Sequence, residues 1–97
     1  MRLELSEEAD ADLDELLEYG ILSFGIEVGR EYYFSFDKAF AVLRATPEAG
    51  QADNETSFRR WHHRSHRIFY RVDRDVVLIV RIIHHSRDVG TWHSEIE

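Results

Sequence analysis

Apolar residues recur through the first half of the chain at Leu13, Leu16, Leu17, Ile21 and Phe24. Steps of three and four mark one face of an α-helix. Ser6 stands before Glu7, Glu8 and Asp10, which suits a helix start, because the free N–H groups and the dipole favour a serine cap and negative charge there. Ala9 sits where Glu or Gln would complete a capping box. Gly25 is the expected stop. A second helical stripe runs through Tyr32 or Tyr33, Phe36, Ala39, Phe40 and Leu43, and Pro47 in the turn PEAG ends it. The short connection predicts an antiparallel hairpin with Phe24, Tyr33, Phe36 and Phe40 in the core. Ahead of it, RLEL (residues 2–5) alternates like an edge strand. After it, QADNETS (51–57) reads as a polar loop, SFRRW as a strand and HHRS as a turn.

The most informative stretch is HRIFYRVDRDVVLIVRIIHH, residues 66–85. It reads as two strands and a tight turn. In the first strand the even positions are His66, Ile68, Tyr70 and Val72; in the second they are Val76, Leu78, Val80 and Ile82. These sets are the more apolar and are expected against the helices. A three-residue connection, Asp73-Arg74-Asp75, pairs Val72 with Val76, Tyr70 with Leu78 and Ile68 with Val80. On the other face it sets Phe69 opposite Ile79 and Arg67 opposite Arg81. Two opposed arginines repel, so they fan into solvent or meet an anion or carboxylate. The order is β-α-α-β-β-β, an α+β fold with a mostly antiparallel sheet and a helical hairpin on one face. The other face then carries Phe69, Val77, Ile79 and Ile83 among Arg67, Arg71 and Arg81. That mixture has the composition of a partner surface.

The 97 residues make one domain, 1–97, with 89–97 as a tail. Cysteine is absent, no apolar run spans a bilayer, and the acidic N-terminus is no signal peptide, so a soluble cytoplasmic protein is expected. The net charge of −7 hides a split. Residues 1–58 hold four basic side chains against fourteen acidic ones, a net of −10; residues 59–97 hold eight arginines against five acids, a net of +3. An acidic whole argues against a general nucleic-acid binder, while the basic half allows an acidic partner. Arg67, Arg81 and His85 share a face in the expected register, with Arg87 nearby, and would be the residues of a metal-free ribonuclease. His62-His63 and His84-His85 are adjacent pairs, which strands point to opposite faces, so neither a metal nor a cofactor is expected.

The segment FRRWHHRSHRIFYRVDRDVVLIVRIIHHSRD, with AFAVLRATPEAG before it, resembles the ParE branch of the ParE/RelE toxin superfamily. The resemblance implies a type II toxin–antitoxin toxin that blocks DNA gyrase, is no hydrolase, and is neutralised by a cognate antitoxin laid across it. It places antitoxin contacts on the open sheet face, at Trp61, Arg67, Phe69, Arg71, Val77, Ile79, Arg81 and Ile83. Target contacts fall at His84, His85, Arg87 and Trp92. Relatives of the RelE branch cleave mRNA on the ribosome. For that alternative, Arg67 and Arg81 would hold a phosphate and His84 or His85 would move the proton. The acidic total, the single lysine (Lys38) and the lack of a tyrosine after Tyr70 favour ParE. A second alternative is a non-toxic binding module that keeps only its partner. Two departures stand out: HHRS has no glycine where the turn before Arg67 is expected to carry one, and VGTWHSEIE does not align.

Overall fold

The computed structural model describes residues 1–87. The tail expected at 89–97, and Trp92 with it, lies outside them. Strand β1 (Arg2–Leu5) leads into helix α1 (Glu7–Phe24) and helix α2 (Ile26–Ala45); β2 (Gln51–Ala52), β3 (Arg59–His63), β4 (His66–Asp73) and β5 (Val76–His84) follow. One five-stranded sheet results, in the order β1-β5-β4-β3-β2. All neighbours are antiparallel except β1, which runs parallel to β5 because the helical hairpin carries the chain back across the sheet. The two-residue β2, read as loop in the sequence, pairs only with Arg59 and Arg60.

The helix ends lie where the sequence places them. Ser6 accepts the Ala9 N–H, and three acids occupy the first turn of α1. Gly25, at φ 95°, ends α1 and begins α2 by itself; a left-handed φ of this kind is cheap only for glycine. The second helix therefore starts six residues before its aromatic stripe. The helices cross at Gly20 and Gly29, backbone against backbone: a Cβ on Gly29 would stand 2.5 Å from the Ile21 nitrogen.

The main core lies between hairpin and sheet. Ala9, Leu13 and Leu16 of α1 and Phe36, Ala39 and Leu43 of α2 meet Ile68, Tyr70, Val77, Ile79 and Ile82. Phe58, Phe69, Val80 and Ile83 form a second buried cluster. Tyr33 and Phe40 are partly buried against the main core, but Phe24 is 63 % exposed, contrary to its helical spacing.

The β4–β5 register differs from the expected one in two places. The turn is two residues long, with Asp73 paired to Val76, and it is made possible by Arg74 at φ 57°. That shift pairs even positions with odd ones, so Val72 meets Val77 and Tyr70 meets Ile79. A bulge at Val80 then restores the even pairing, and Ile68 meets Ile82. Val77 and Ile79 consequently face the helices rather than an open side. Phe69 is opposite Arg81 and Arg67 opposite Ile83, so the two arginines are not a cross-strand pair.

Helix α1 completes the bulge. The Ser6 hydroxyl donates to the Val80 carbonyl at 2.7 Å. The Asp12 carboxylate accepts the Ile82 N–H at 2.8 Å and takes two hydrogen bonds from the Arg81 guanidinium at 2.8 and 3.0 Å. The lone charge in an apolar strand is therefore one half of a largely buried ion pair, and that partner holds the Arg81 guanidinium above its ordinary pKa. At the opposite end Tyr70, fully buried, donates to the Pro47 carbonyl at 2.6 Å and accepts the Gly50 N–H at 2.9 Å, pinning the turn after α2.

Candidate partner-binding groove

The sheet supports only part of the helical hairpin. Near Gly25 a series of large apolar side chains stands in solvent: Tyr19, Leu22, Phe24, Ile26 and Val28 are each more than half exposed, Leu22 at 78 %. Contiguous apolar surface of this kind is uncommon on a monomer unless it binds something. Beside it runs a groove of about 680 Å³. One wall is helical, from Leu16, Tyr19, Gly20, Phe24, Val28 and Gly29; the other is the end of the sheet, from Ser65, His66, Ile82, His84, Ser86 and Arg87. Glycines at 20 and 29, needed for the helix crossing, also leave the groove without side chains at that point. Asp12 and Glu15 lie along its helical side.

Four of the described histidines, His63, His66, His84 and His85, gather at the sheet end of this groove. Cross-strand pairing aligns His63 with His66 and His66 with His84. The His66 and His84 rings meet edge to face at 5.2 Å, and His84 stacks on His85 at 4.5 Å. Tyr32 and Phe36 of α2 pack on His63 and His66. Burial, then the neighbouring His84 and His63, push the His66 pKa down to about 4; burial also lowers that of His63. No group of three histidine, cysteine or carboxylate side chains among the described residues is placed to hold a metal ion.

The residues singled out from the sequence fall in separate places. Val77 and Ile79 are fully buried under the helices, while Phe69 and Ile83 are buried in the second cluster, so the apolar part of the expected open face is already covered. Trp61 packs partly against the main core, and Arg71 is exposed opposite Leu78. Arg67 stacks on Phe69 at 5.6 Å and donates to the Arg87 carbonyl at 2.7 Å. Arg81 is turned to Asp12, and His85 is exposed on His84. Arg67 and Arg81 remain on one face of the hairpin, on either side of Phe69, but each guanidinium is bonded within the chain, Arg67 to the Arg87 carbonyl and Arg81 to Asp12. His84 and Arg87 do come together, in the groove. The sequence reading missed Asp12, the tip residues Leu22, Ile26 and Val28, and Tyr32. The one available signal was the run of apolar residues on both sides of Gly25, too dense for a solvent-exposed turn.

The comparisons with known proteins agree with this fold. The family described as ParE toxin of type II toxin-antitoxin system, parDE, matches residues 3–89. Toxin ParE1 of Caulobacter vibrioides is 33 % identical over 84 residues, covering 84 % of this chain and 86 % of that protein. A structure of the chromosomal ParDE TA system from P. aeruginosa superposes with a TM-score of 0.78 at 22 % identity, over 87 % of this chain and 95 % of that one. A metal-bound toxin from Helicobacter pylori does so with a TM-score of 0.59 at 19 % identity, over 89 % and 96 %. These two structural matches concern the fold. With the family pattern spanning nearly all of its length and a relative at one-third identity, this chain belongs to the ParE toxin family of type II toxin–antitoxin systems.

Proposed function

We propose that this toxin acts in the cytoplasm by inhibiting DNA gyrase, is not itself an enzyme, and is neutralised by a cognate antitoxin seated in the groove beside the helical tip. One observation carries the antitoxin site: the exposed apolar residues from Tyr19 to Val28 adjoin a groove that runs to the end of the sheet. A segment with one apolar face fits that surface. Arg67, bonded to the Arg87 carbonyl at the rim of the groove, extends the contact for acidic groups of the same partner; Arg71 lies toward the opposite end of β4. His84 and Arg87, which line the groove, and His85, stacked on His84, are proposed as target contacts. Val77 and Ile79 have no such role, because the helices cover them.

The ribonuclease reading loses its support with Arg81. A guanidinium held along its Nε–Nη2 edge by Asp12 is already paired with a carboxylate 69 positions away in sequence. A phosphate would have to displace that partner.

Three experiments test the reading. Purified toxin added to gyrase and plasmid is expected to accumulate cleaved DNA and to leave translated mRNA intact. Translation-dependent mRNA cuts that vanish in Arg81→Ala would overturn it, and normal growth on induction without antitoxin would point to a non-toxic binding module. For the groove, Leu22→Asp and Phe24→Asp are each expected to weaken binding of the antitoxin encoded beside the toxin by about 2 kcal/mol or more, as at a central apolar contact. Unchanged affinity in both would move the antitoxin elsewhere.

A further inference from the structure

Strand β5 outruns its neighbour β1. The two pair only over Val76–Ile79, and beyond that point the edge of β5 away from β4 carries no strand among the described residues. Two hydrogen bonds fix which backbone groups face that edge. The His85 N–H turns inward to the Ser65 carbonyl at 2.8 Å, and the Ile82 N–H turns outward to Asp12 at 2.8 Å. In an antiparallel pair the direction alternates, so Ile83 addresses β4 while Ile82 and His84 present their N–H and C=O groups to the open edge.

Most of these outward groups are satisfied by the chain. The Val80 carbonyl accepts the Ser6 hydroxyl, Asp12 takes the Ile82 N–H, and the His84 carbonyl accepts the Arg87 N–H at 3.0 Å. The Ile82 carbonyl and the His84 N–H have no partner among the described residues. Ile82 is only 4 % exposed, and buried backbone groups are seldom left unpaired. Both residues line the groove.

An acceptor on residue 82 and a donor on residue 84 are what one residue of a parallel strand satisfies, with its own N–H and C=O. Strand β1 does this earlier on the same edge, where Arg2 gives its N–H to the Asp75 carbonyl at 3.0 Å. An antiparallel strand needs both groups of a single residue, and Asp12 and Arg87 have each taken one of a pair.

We propose that the antitoxin enters the groove as an extended segment that adds to β5, parallel to it and in line with β1, with one residue opposite Ile83. This rests on the groove being the antitoxin site. Side chains alternate along such a segment. Ile82 packs in the main core, so the residues flanking the one opposite Ile83 point to the helical wall at Leu16 and Tyr19 and are apolar. Asp12 and Glu15 on that wall disfavour acids there, whereas Arg87 at the far end suits one. The residue opposite Ile83 turns to the other face of the sheet, the side of Phe69.

The test uses the full toxin and the antitoxin encoded beside it. On binding, amide exchange at His84, corrected for the intrinsic rate, is expected to slow at least about tenfold relative to Val77–Ile79. A peptide carrying the antitoxin's contact segment, N-methylated one residue at a time, should lose affinity at least about tenfold at one position. The residues on either side of it, whose N–H groups point away from β5, should lose less than about threefold. A nitroxide on the C-terminal end of that peptide should broaden Ser86 and Arg87 more than Asp12. An unslowed His84 amide, a flat N-methyl profile or the reverse broadening would overturn strand addition. If Leu22→Asp still weakens antitoxin binding in that case, the groove assignment stands alone. If Leu22→Asp, Phe24→Asp and the His84 amide are all indifferent to the antitoxin, both fall.

Discussion

The base and the tip of the helical hairpin carry similar apolar stripes but meet different surroundings. At the base, Ala9, Leu13, Phe36, Ala39 and Leu43 are closed under the sheet, and Ser6, the N-cap of α1, and Asp12 within it serve the bulge of β5. At the tip, Tyr19, Leu22, Phe24, Ile26 and Val28 are equally apolar and have no sheet above them. Hydrophobic spacing says that a face will be covered. It does not say whether by the same chain or by another.

The contrast can be broken at the base first. Asp12→Ala removes the acceptor of two Arg81 bonds and of the Ile82 N–H. Unfolding by denaturant should show a loss of about 3–5 kcal/mol, the usual cost of removing one partner from a buried pair. Replacing both partners, Asp12→Leu with Arg81→Met, should recover much of it. At the boundary between base and tip, Gly29→Ala puts a methyl against the backbone of the other helix and should cost about 1–3 kcal/mol, seen as a lower midpoint. Tyr70→Phe leaves the Gly50 N–H and the Pro47 carbonyl without their buried hydroxyl; about 1–3 kcal/mol should be lost.

Acid acts next in size, at the groove end. His66 titrates near 4 in the fold and near its ordinary 6.5 when unfolded, so the unfolded chain binds more protons between those values. Stability from this ring is complete above about pH 6.5 and is lost as pH falls toward 4. Discounted for partial exposure, the change is about 1–2 kcal/mol, measured as the difference between wild type and His66→Gln across that window. The smallest effect belongs to the tip. Leu22→Ser and Phe24→Ser should change stability by no more than about 0.5 kcal/mol, because both side chains are largely exposed among the described residues. A large loss there would erase the distinction between base and tip.

The sequence made some of this legible. Ser6, Gly25 and Pro47 mark helix boundaries through local chemistry, and the structure keeps all three. The stripes of α1 and α2 were readable for the same reason. The β4–β5 register was not, because it turns on Arg74 taking a left-handed conformation and on one extra residue at Val80. Arg64, at φ 53°, fills the other two-residue turn in the same way, which answers the missing glycine in HHRS. Asp12 was invisible because its partner lies 69 positions away and it is one of several acidic residues along α1. Phe24 had core spacing and lies where the sheet no longer reaches.

The bulge at Val80 also acts as a counter. Strand β5 needs one residue more than β4 to bring Val77 and Ile79 on one side of it, and Ile82 on the other, to the same face. A deletion of a single codon there would leave composition and hydropathy almost unchanged, yet turn one half of the strand inside out and carry Ile82 away from Asp12. A codon lost from the polar stretch 54–57, between β2 and β3, meets no such requirement. Within β5, tolerance to a deletion is therefore lost at a position inside the most uniform stretch of the sequence.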